Sequence, residues 1–587
     1  MNIESVNLEV RQARWETYPS PDPEYIRSLQ SALAHLQLTP LMIRLLANRG
    51  VTTPDEIEAF LTPPELSSYP DPLQLTGMRE AVDRIAQAIS AGEQIVVYGD
   101  FDADGVTSTS LLTIALRHFG AKVEPYIPNR VLEGYGLNAA AVQEIARRGA
   151  TLLITVDCGI SGRGEVAEAR RAGMDVIVTD HHHLPADLPE ATACINPKQA
   201  APGCECYHDL AGVGVAYQLV RALVKKLDKP ATLRNLDLLA LVAIGTVADI
   251  VPLRGANRSL VTLGMSAVQH HSLPGLKMLL EFAHVDLRNV DAERIGFAIG
   301  PRLNAAGRVD DASTAYRLLM TENVAEARGL AQKIEAQNRR RQAIMNSVVE
   351  QAREQARKLG DDVKVIVLHD AGWPSGVVGL VAGRLAEEFG RPTLILEEGE
   401  EESRGSARSG SQFDMIGALT ELKHLLVKFG GHQAAAGFTI KTEKIYELAE
   451  GLNSIASQQQ NSIHLQPLIR ADTELPMSEV TDHTFDSLQR LAPFGAGNSA
   501  PLFLALGLHV TDAVALSDGS HLKLYLTDAT NPSGRPVEAM VWRAGHLYET
   551  LRHNGRVDIL FSIERREWKG NVHLQLKVKD LRVVSDQ

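Results

Sequence analysis

The stretch QIVVYGDFDADGVTSTSLLTIALRHFG (94–120) decides how the chain is read. QIVVYGD (94–100) is a short apolar, β-branched run, the pattern of a strand buried on both faces. VTSTSLLTIALRHFG (106–120) reads as a helix closed by glycine. Between them Asp100, Asp102 and Asp104 stand at alternate positions and Gly105 follows. On paper this is the first half of an EF-hand. That loop needs a bidentate glutamate at its twelfth position. Counted from Asp100, the position is Leu111, and the segment follows a strand, not a helix. The register argues against calcium.

Outward from this stretch the pattern repeats. KVEPYIP (122–128) is a strand, NAAAVQEIARRG (138–149) a helix, TLLITVD (151–157) a strand, GRGEVAEARRAG (162–173) a helix and DVIVTD (175–180) a strand. Such alternation means a parallel sheet with helices on its faces. All strand carboxyl ends of an open parallel sheet share one edge, where ligands bind. Asp157 ends one strand, and Asp180, His181 and His182 follow another. Three separate acidic clusters therefore converge. Alternate residues of an extended segment point the same way, so Asp100, Asp102 and Asp104 are expected to face one centre.

Packed carboxylates repel unless cations neutralise them. Oxygen-rich sites suit magnesium or manganese, and an imidazole tilts the choice toward manganese. Two ions sharing a carboxylate suit in-line attack on phosphorus. The alternative, acids that merely cap helices and close turns, would win for a lone D-x-D. It is a poor account of three strand ends.

Mostly helical sequence follows from about 209 to 320. Residues 331–360 contain no proline and no glycine until their end, so they read as a helical spacer. Its run Arg339, Arg340, Arg341 is read as a solvated face in preference to a phosphate contact. A second α/β unit opens at VKVIVLHD (363–370), with a helix at 376–390 and a strand at 392–398. LTELKHLLVKFGGHQAAAGFTI (419–440) is expected to turn from helix to strand through its glycine pair. SQQQNS (457–462) reads as a linker. From about 466, short alternating segments predict an all-β, five-stranded OB-like barrel.

The 587 residues imply three or four domains, and 44% hydrophobic with 22% charged residues fit a soluble globular enzyme. Four cysteines make no disulfide framework, and GCECYH (203–208) lacks a usual zinc spacing. GVGVAY (212–217) reads as close backbone packing, not as a nucleotide loop. The first twenty residues lack a signal-peptide pattern, and no apolar run is long enough to span a bilayer, so a cytoplasmic location is expected. A net charge of -13 argues only weakly against nucleic acid, because net charge governs solubility and steering, not what a cleft binds.

DFDADGVTS, TVDCGI and VTDHHH together resemble the DHH phosphoesterase superfamily. GTVADIVPL (245–253), IGPRLNAAGR (299–308) and KFGGHQAAAGFTI (428–440) narrow the resemblance to the RecJ family of single-strand-specific DNA exonucleases. It covers nearly the whole chain and implies an N-terminal extension (1–70), a DHH domain (71–320), a connecting helix (321–361), a DHHA1-type domain (362–460) and an OB-like domain (466–587).

By position, the resemblance implies that Asp100, Asp102, Asp104, Asp157, His181 and Asp249 bind two Mg2+ or Mn2+ ions, with Asp157 as bridge. His182 would face the substrate phosphate, and Asp180 would orient a histidine. Related pyrophosphatases carry a histidine where this chain has Tyr98, so Asp100 would stand in as ligand. Arg130, Arg302, Asn304, Ser406, Arg408 and His432 would hold the strand, while Arg308 is read as structural. Phe494, Tyr525 and Trp542 are either stacking residues of the barrel or part of its core. The implied activity is metal-dependent 5′ to 3′ hydrolysis of single-stranded DNA to mononucleotides in repair and recombination, alongside a single-strand-binding protein and a helicase. Two rivals remain open: a DHH phosphoesterase for small substrates such as pyrophosphate, cyclic dinucleotides or very short RNA, and a non-catalytic single-strand-binding scaffold.

Overall fold

Buried apolar strands set the first sheet. β1 (Gln94–Tyr98) leads into α1 (Ala103–His118), and β2 (Lys122–Tyr126), β3 (Leu152–Val156), β4 (Asp175–Thr179) and β5 (Ala193–Ile195) follow. The strands pair in the order β2-β1-β3-β4-β5, all parallel. A computed structural model of the chain describes residues 13–63, 65–130, 133–134, 136–228, 235–270, 273–309, 311–360, 362–410, 413–459, 468–516, 519–528, 534–552, 555–568 and 571–584. Leu152, Leu153, Ile154 and Val156 of β3 are fully buried, as a central strand covered on both faces requires.

α1 starts three residues before the sequence reading puts it. The reason is local: the Asp102 carboxylate caps the helix by accepting from the Gly105 N–H at 3.0 Å. Asp104 therefore lies in the first helical turn. The expected extended, alternating run is wrong beyond Asp102, and the acids meet through a strand-to-helix turn.

α2 (Gly212–Lys226), α3 (Asn235–Ala248) and α4 (Gly300–Val309) supply the helical part. α5 (Val324–Lys358) is a single helix of 35 residues. It begins ahead of the expected spacer because Asn323 caps it, accepting from the N–H groups of Ala325 and Glu326.

The second sheet comprises β6 (Ile366–Asp370), β7 (Thr393–Glu397), β8 (Glu402–Arg408), β9 (Leu426–His432) and β10 (Ala435–Lys441), in the order β9-β10-β8-β7-β6. α6 (Ser375–Phe389) links β6 to β7. The glycine pair does not mark the switch from helix to strand. Gly430 and Gly431 lie inside β9, and the turn falls at Gln433 and Ala434. Gly431 has a φ of 148°, and a side-chain carbon there would come within 2.3 Å of the Ala435 carbonyl. The expected linker starts as helix, since Ser457–Gln459 close Ile445–Gln459; its remainder lies outside the described residues.

Pro70–Asp249 and Leu260–Pro467 form one compact unit, and Ala13–Tyr69, Ile250–Ser259 and Leu468–Gln587 another. In the second, β11 (Phe503–Leu516), β12 (His521–Thr527), β13 (Val537–Val541), β14 (Arg556–Trp568) and β15 (Asn571–Val584) pair as β11-β12-β13-β15-β14, and β14 closes back on β11. This is a closed five-stranded barrel of the OB type. Residues 13–69 do not stand apart as an extension: Ile43, Leu45 and Leu46 share one core with Phe503, Leu524 and Phe561. Arg258 ties the pieces, donating to the carbonyls of Phe60, Leu491 and Ala492 beneath the Phe60 ring. Among the described residues no helix is long and apolar enough to cross a membrane.

Candidate metal centre and phosphate contacts

β1 and β3 are neighbours, yet the chain passes from one to the other through β2 on the outer side. That order makes the gap between their carboxyl ends the switch point of the sheet, where ligands bind. Asp100 lies two residues past β1, Asp157 directly past β3 and Asp180 directly past β4. Asp157 adopts a left-handed φ of 61°, a strained state that aspartate tolerates better than most residues. A side-chain carbon at Gly212 would lie 2.6 Å from the Asp157 carboxylate, so glycine lets the start of α2 approach this acid.

The remaining ligands are held from several elements. Asp104 is 1% exposed and accepts from the N–H groups of Gly212 (2.7 Å) and Val213 (2.9 Å) at the start of α2. Asp249 follows α3, and its carboxylate lies 3.4 Å from His181 Nε2. Potential ligand atoms of Asp100, Asp102 and Asp157 all lie within 4.8 Å of one another, as do those of Asp104, His181 and Asp249, and those of Asp157, His181 and His182. The structure thus brings together all six expected metal ligands. Tyr98 is no substitute for a histidine ligand: it is fully buried, stacked on Tyr126, and its hydroxyl donates to the Gly136 carbonyl. Among the described residues no such cluster includes a cysteine.

His181 Nε2 and Asp157 Oδ1 are buried 3.1 Å apart, and among the described residues neither has a hydrogen-bond partner. Buried polar atoms are almost always satisfied. Two orphaned donor atoms among converging carboxylates fit a pair of divalent cations. The charge states agree. Burial first, then repulsion by Asp102, pushes Asp104 up to about 7. Burial, then Asp104 and Asp102, pushes Asp249 up to about 9. Burial and the Asp104 charge likewise raise Asp157 far above the carboxylate range, and burial with Asp102 raises Asp100. A nearby cation would favour their ionised form.

The two histidines differ. Burial and the neighbouring His182 push His181 down to about 3, so its imidazole is neutral and can bind a metal. His182 is raised: burial opposes its charge, but Asp180 outweighs burial with a 2.7 Å bond to Nδ1. Asp180 also accepts from the N–H groups of Ile160, His181 and His182, and its own pKa falls below the usual range despite its burial.

The expected strand contacts divide. Arg130 lies over the Phe101 ring, under the influence of Asp100 and Asp102. Ser406 and Arg408 both approach Gly379 of α6. The His432 ring lies tilted against that of His183, at 4.8 Å between ring centres, which gives His183 a contact that sequence reading did not supply. Asn304 instead grips the acid turn, accepting from the Ala103 N–H at 2.7 Å. Arg302 is paired with Glu335 at 2.8 Å. Lys198 went unnoticed in the sequence: its ammonium donates to the His181 carbonyl, and its charge bears on Asp180 and Asp249. Its only signal was its position just past β5.

A cation-ready edge with a histidine beside it whose charged form Asp180 favours fits a phosphoesterase centre. Residues 94–246 match the DHH family N-terminal domain, 362–458 the DHHA1 domain and 471–580 the RecJ OB domain. The single-stranded-DNA-specific exonuclease RecJ of Bacillus subtilis is 38% identical over 97% of this chain and 71% of its own length. The Escherichia coli protein of the same name is 38% identical over 93% of this chain and 96% of its own. The crystal structure of Thermus thermophilus RecJ in complex with Mn2+ superposes with a TM-score of 0.83 at 30% identity, covering 98% of this chain and 80% of that one. A second structure of that protein is in complex with Mg2+. The chain belongs to the RecJ family.

Proposed function

We propose that the chain is a single-stranded-DNA-specific exonuclease that removes mononucleotides from the 5′ end by metal-dependent hydrolysis. The orphaned pair of His181 Nε2 and Asp157 Oδ1 carries the metal-dependent part of this reading. Asp100, Asp102, Asp104, Asp157, His181 and Asp249 would hold two Mg2+ or Mn2+ ions, with Asp157 as bridge. When bound, the ions supply Lewis-acid activation of water and neutralise charge building on phosphorus. Asp180 holds His182 by Nδ1, so Nε2 is the nitrogen that donates to a phosphate oxygen. The protonated state that Asp180 stabilises lets His182 meet the growing negative charge as a cation. Arg130 and Arg408 hold the phosphate in line, with the Ser406 hydroxyl and His432 nearby.

A small-substrate phosphoesterase would have no use for the OB barrel. A non-catalytic scaffold would have no reason to keep six ligands converged. The enzyme would act in the cytoplasm on strands generated during repair and recombination, together with a single-strand-binding protein and a helicase. The test is digestion of 5′- and 3′-labelled single strands and duplexes in Mn2+ or in EDTA. The expected result is loss of the 5′ label from single strands only, abolished by EDTA. Equal attack on duplex, or loss from the 3′ end, would overturn the reading.

A further inference from the structure

The second sheet has an edge that the exonuclease reading does not use. β6 is its last strand, and among the described residues no strand pairs with its outer side. Backbone groups of successive strand residues point to opposite edges. The Ile366 N–H donates inward, to the Pro392 carbonyl, so Val365, Val367 and His369 carry the outward groups. Asn453 takes up those of Val365: it accepts from the N–H and donates to the carbonyl, both at 3.0 Å. Among the described residues no side chain does the same for Val367 or His369.

Beside this edge, between β6 and the helix Ile445–Gln459, lies a cavity of about 180 Å³. Val365, Val367 and Ala449 line it, and the Tyr446 ring at its rim is 76% exposed. Small-molecule sites measure about 300 to 1,000 Å³, so this cavity has room for one side chain. An open strand edge beside a pocket of that size is the arrangement that takes up an extended peptide.

One end of the groove is acidic. His369, in its lining, is held by Glu398 at 2.7 Å. Glu398 belongs to the run EEGEEE (397–402), which contains no basic residue. Glu400, Glu401 and Glu402 are exposed, and among the described residues Glu398 is the only one of the five acids in an ion pair. Asp370 closes β6 opposite Glu397. Such an end repels a DNA strand and attracts a basic segment of protein.

We propose that β6 and this cavity form a docking site for a partner protein. The partner adds an extended segment to the β6 edge, seats one apolar side chain in the cavity and lays lysines or arginines against the acidic end. Backbone bonds to Val367 and His369 supply affinity, while the cavity and the acids select the sequence.

The test uses the full chain and two fluorescent decapeptides, read by anisotropy. Each alternates valine and threonine around a central phenylalanine. One carries lysines at its N-terminus, for an antiparallel strand, and the other at its C-terminus, for a parallel one. One of the two should bind saturably. Ala449→Phe, which fills the cavity, should weaken binding on the order of 10-fold, and so should Tyr446→Asp, a surface change that needs no repacking. Glu398→Lys should weaken it on the order of a few-fold, and glutamates in place of the peptide's lysines should prevent it. N-methylation along one edge of the peptide should abolish binding, and along the other should spare it. All three variants should cleave single strands as the wild type does, so the site stands or falls apart from the nuclease activity. No binding of either peptide would overturn the site. So would equal binding by the wild type, Ala449→Phe and Tyr446→Asp, which would mean charge attraction alone, or tolerance of N-methylation on both edges. A wild type that dimerises in sedimentation while Tyr446→Asp stays monomeric would give the groove to a second copy of the chain and overturn the partner.

Discussion

The acids beside β1 and β3 and the arginines around Arg308 are two clusters of like charge, and they manage it in opposite ways. The acids can discharge by taking protons, which is why Asp104 is raised to about 7 and Asp249 to about 9. The guanidiniums cannot discharge: Arg308 falls only to about 10. One cluster therefore has a metal-free state that depends on pH. The other keeps its charge at neutral pH. Burial alone does not define a site; whether the buried group can become neutral decides how tightly its ligand is tied to the fold.

The largest effect should come from the centre of the acid cluster. Asp157→Asn keeps the shape but removes the charge proposed to bridge the ions, and activity on a 5′-labelled single strand in Mn2+ should fall on the order of 1000-fold. Retained activity would mean that the bridging carboxylate lies elsewhere.

Asp180→Asn should cost roughly 10- to 100-fold, because it touches the centre only through His182. Its signature is in the pH profile. Asp180 raises His182, so its loss lets the histidine deprotonate at lower pH, and the alkaline limb should move toward acid. A lower rate with an unmoved limb would break the link between His182 protonation and phosphate contact.

The comparison itself can be tested by melting the protein in EDTA. Asp104 and Asp249 have folded pKa values of about 7 and about 9 against 3.8 for the free carboxyl. Across that window the folded state binds more protons than the unfolded one, so stability is greatest at low pH and declines as pH rises through the folded values. The melting temperature in EDTA should therefore fall from pH 5 to pH 9, and Mn2+ should flatten the slope.

The smallest effect lies outside both clusters. Of the three candidate stacking residues, Phe494 packs on the barrel core, whereas Trp542 is 49% exposed. Trp542→Ala should weaken binding of long single strands about 5-fold, the lower end of base stacking. It should leave cleavage of a dinucleotide unchanged. Equal loss on both substrates would exclude a strand-holding role.

Much of this was legible beforehand. Apolar strands alternating with helices dictate a parallel sheet, and a parallel sheet collects its carboxyl ends, so Asp100, Asp157 and the Asp180–His182 run had to share an edge. The early start of α1 was not legible, because Asp102 could equally extend the strand; its side-chain bond to Gly105 decides for the helix. Arg341 was misread because a run of three arginines reads as one face. On a helix, neighbouring residues point in different directions, and only the third turns inward. Residues 13–69 joined the barrel core through contacts hundreds of residues away in the chain, which no local pattern records.

By itself the sequence determined the sheet, the convergence of its acids and the family, because strand burial and chain direction are local properties with a single global consequence. Only the tertiary structure set the different surroundings of His181 and His182. They are identical residues side by side, and what separates them is burial against the acids for one and the Asp180 hydrogen bond for the other.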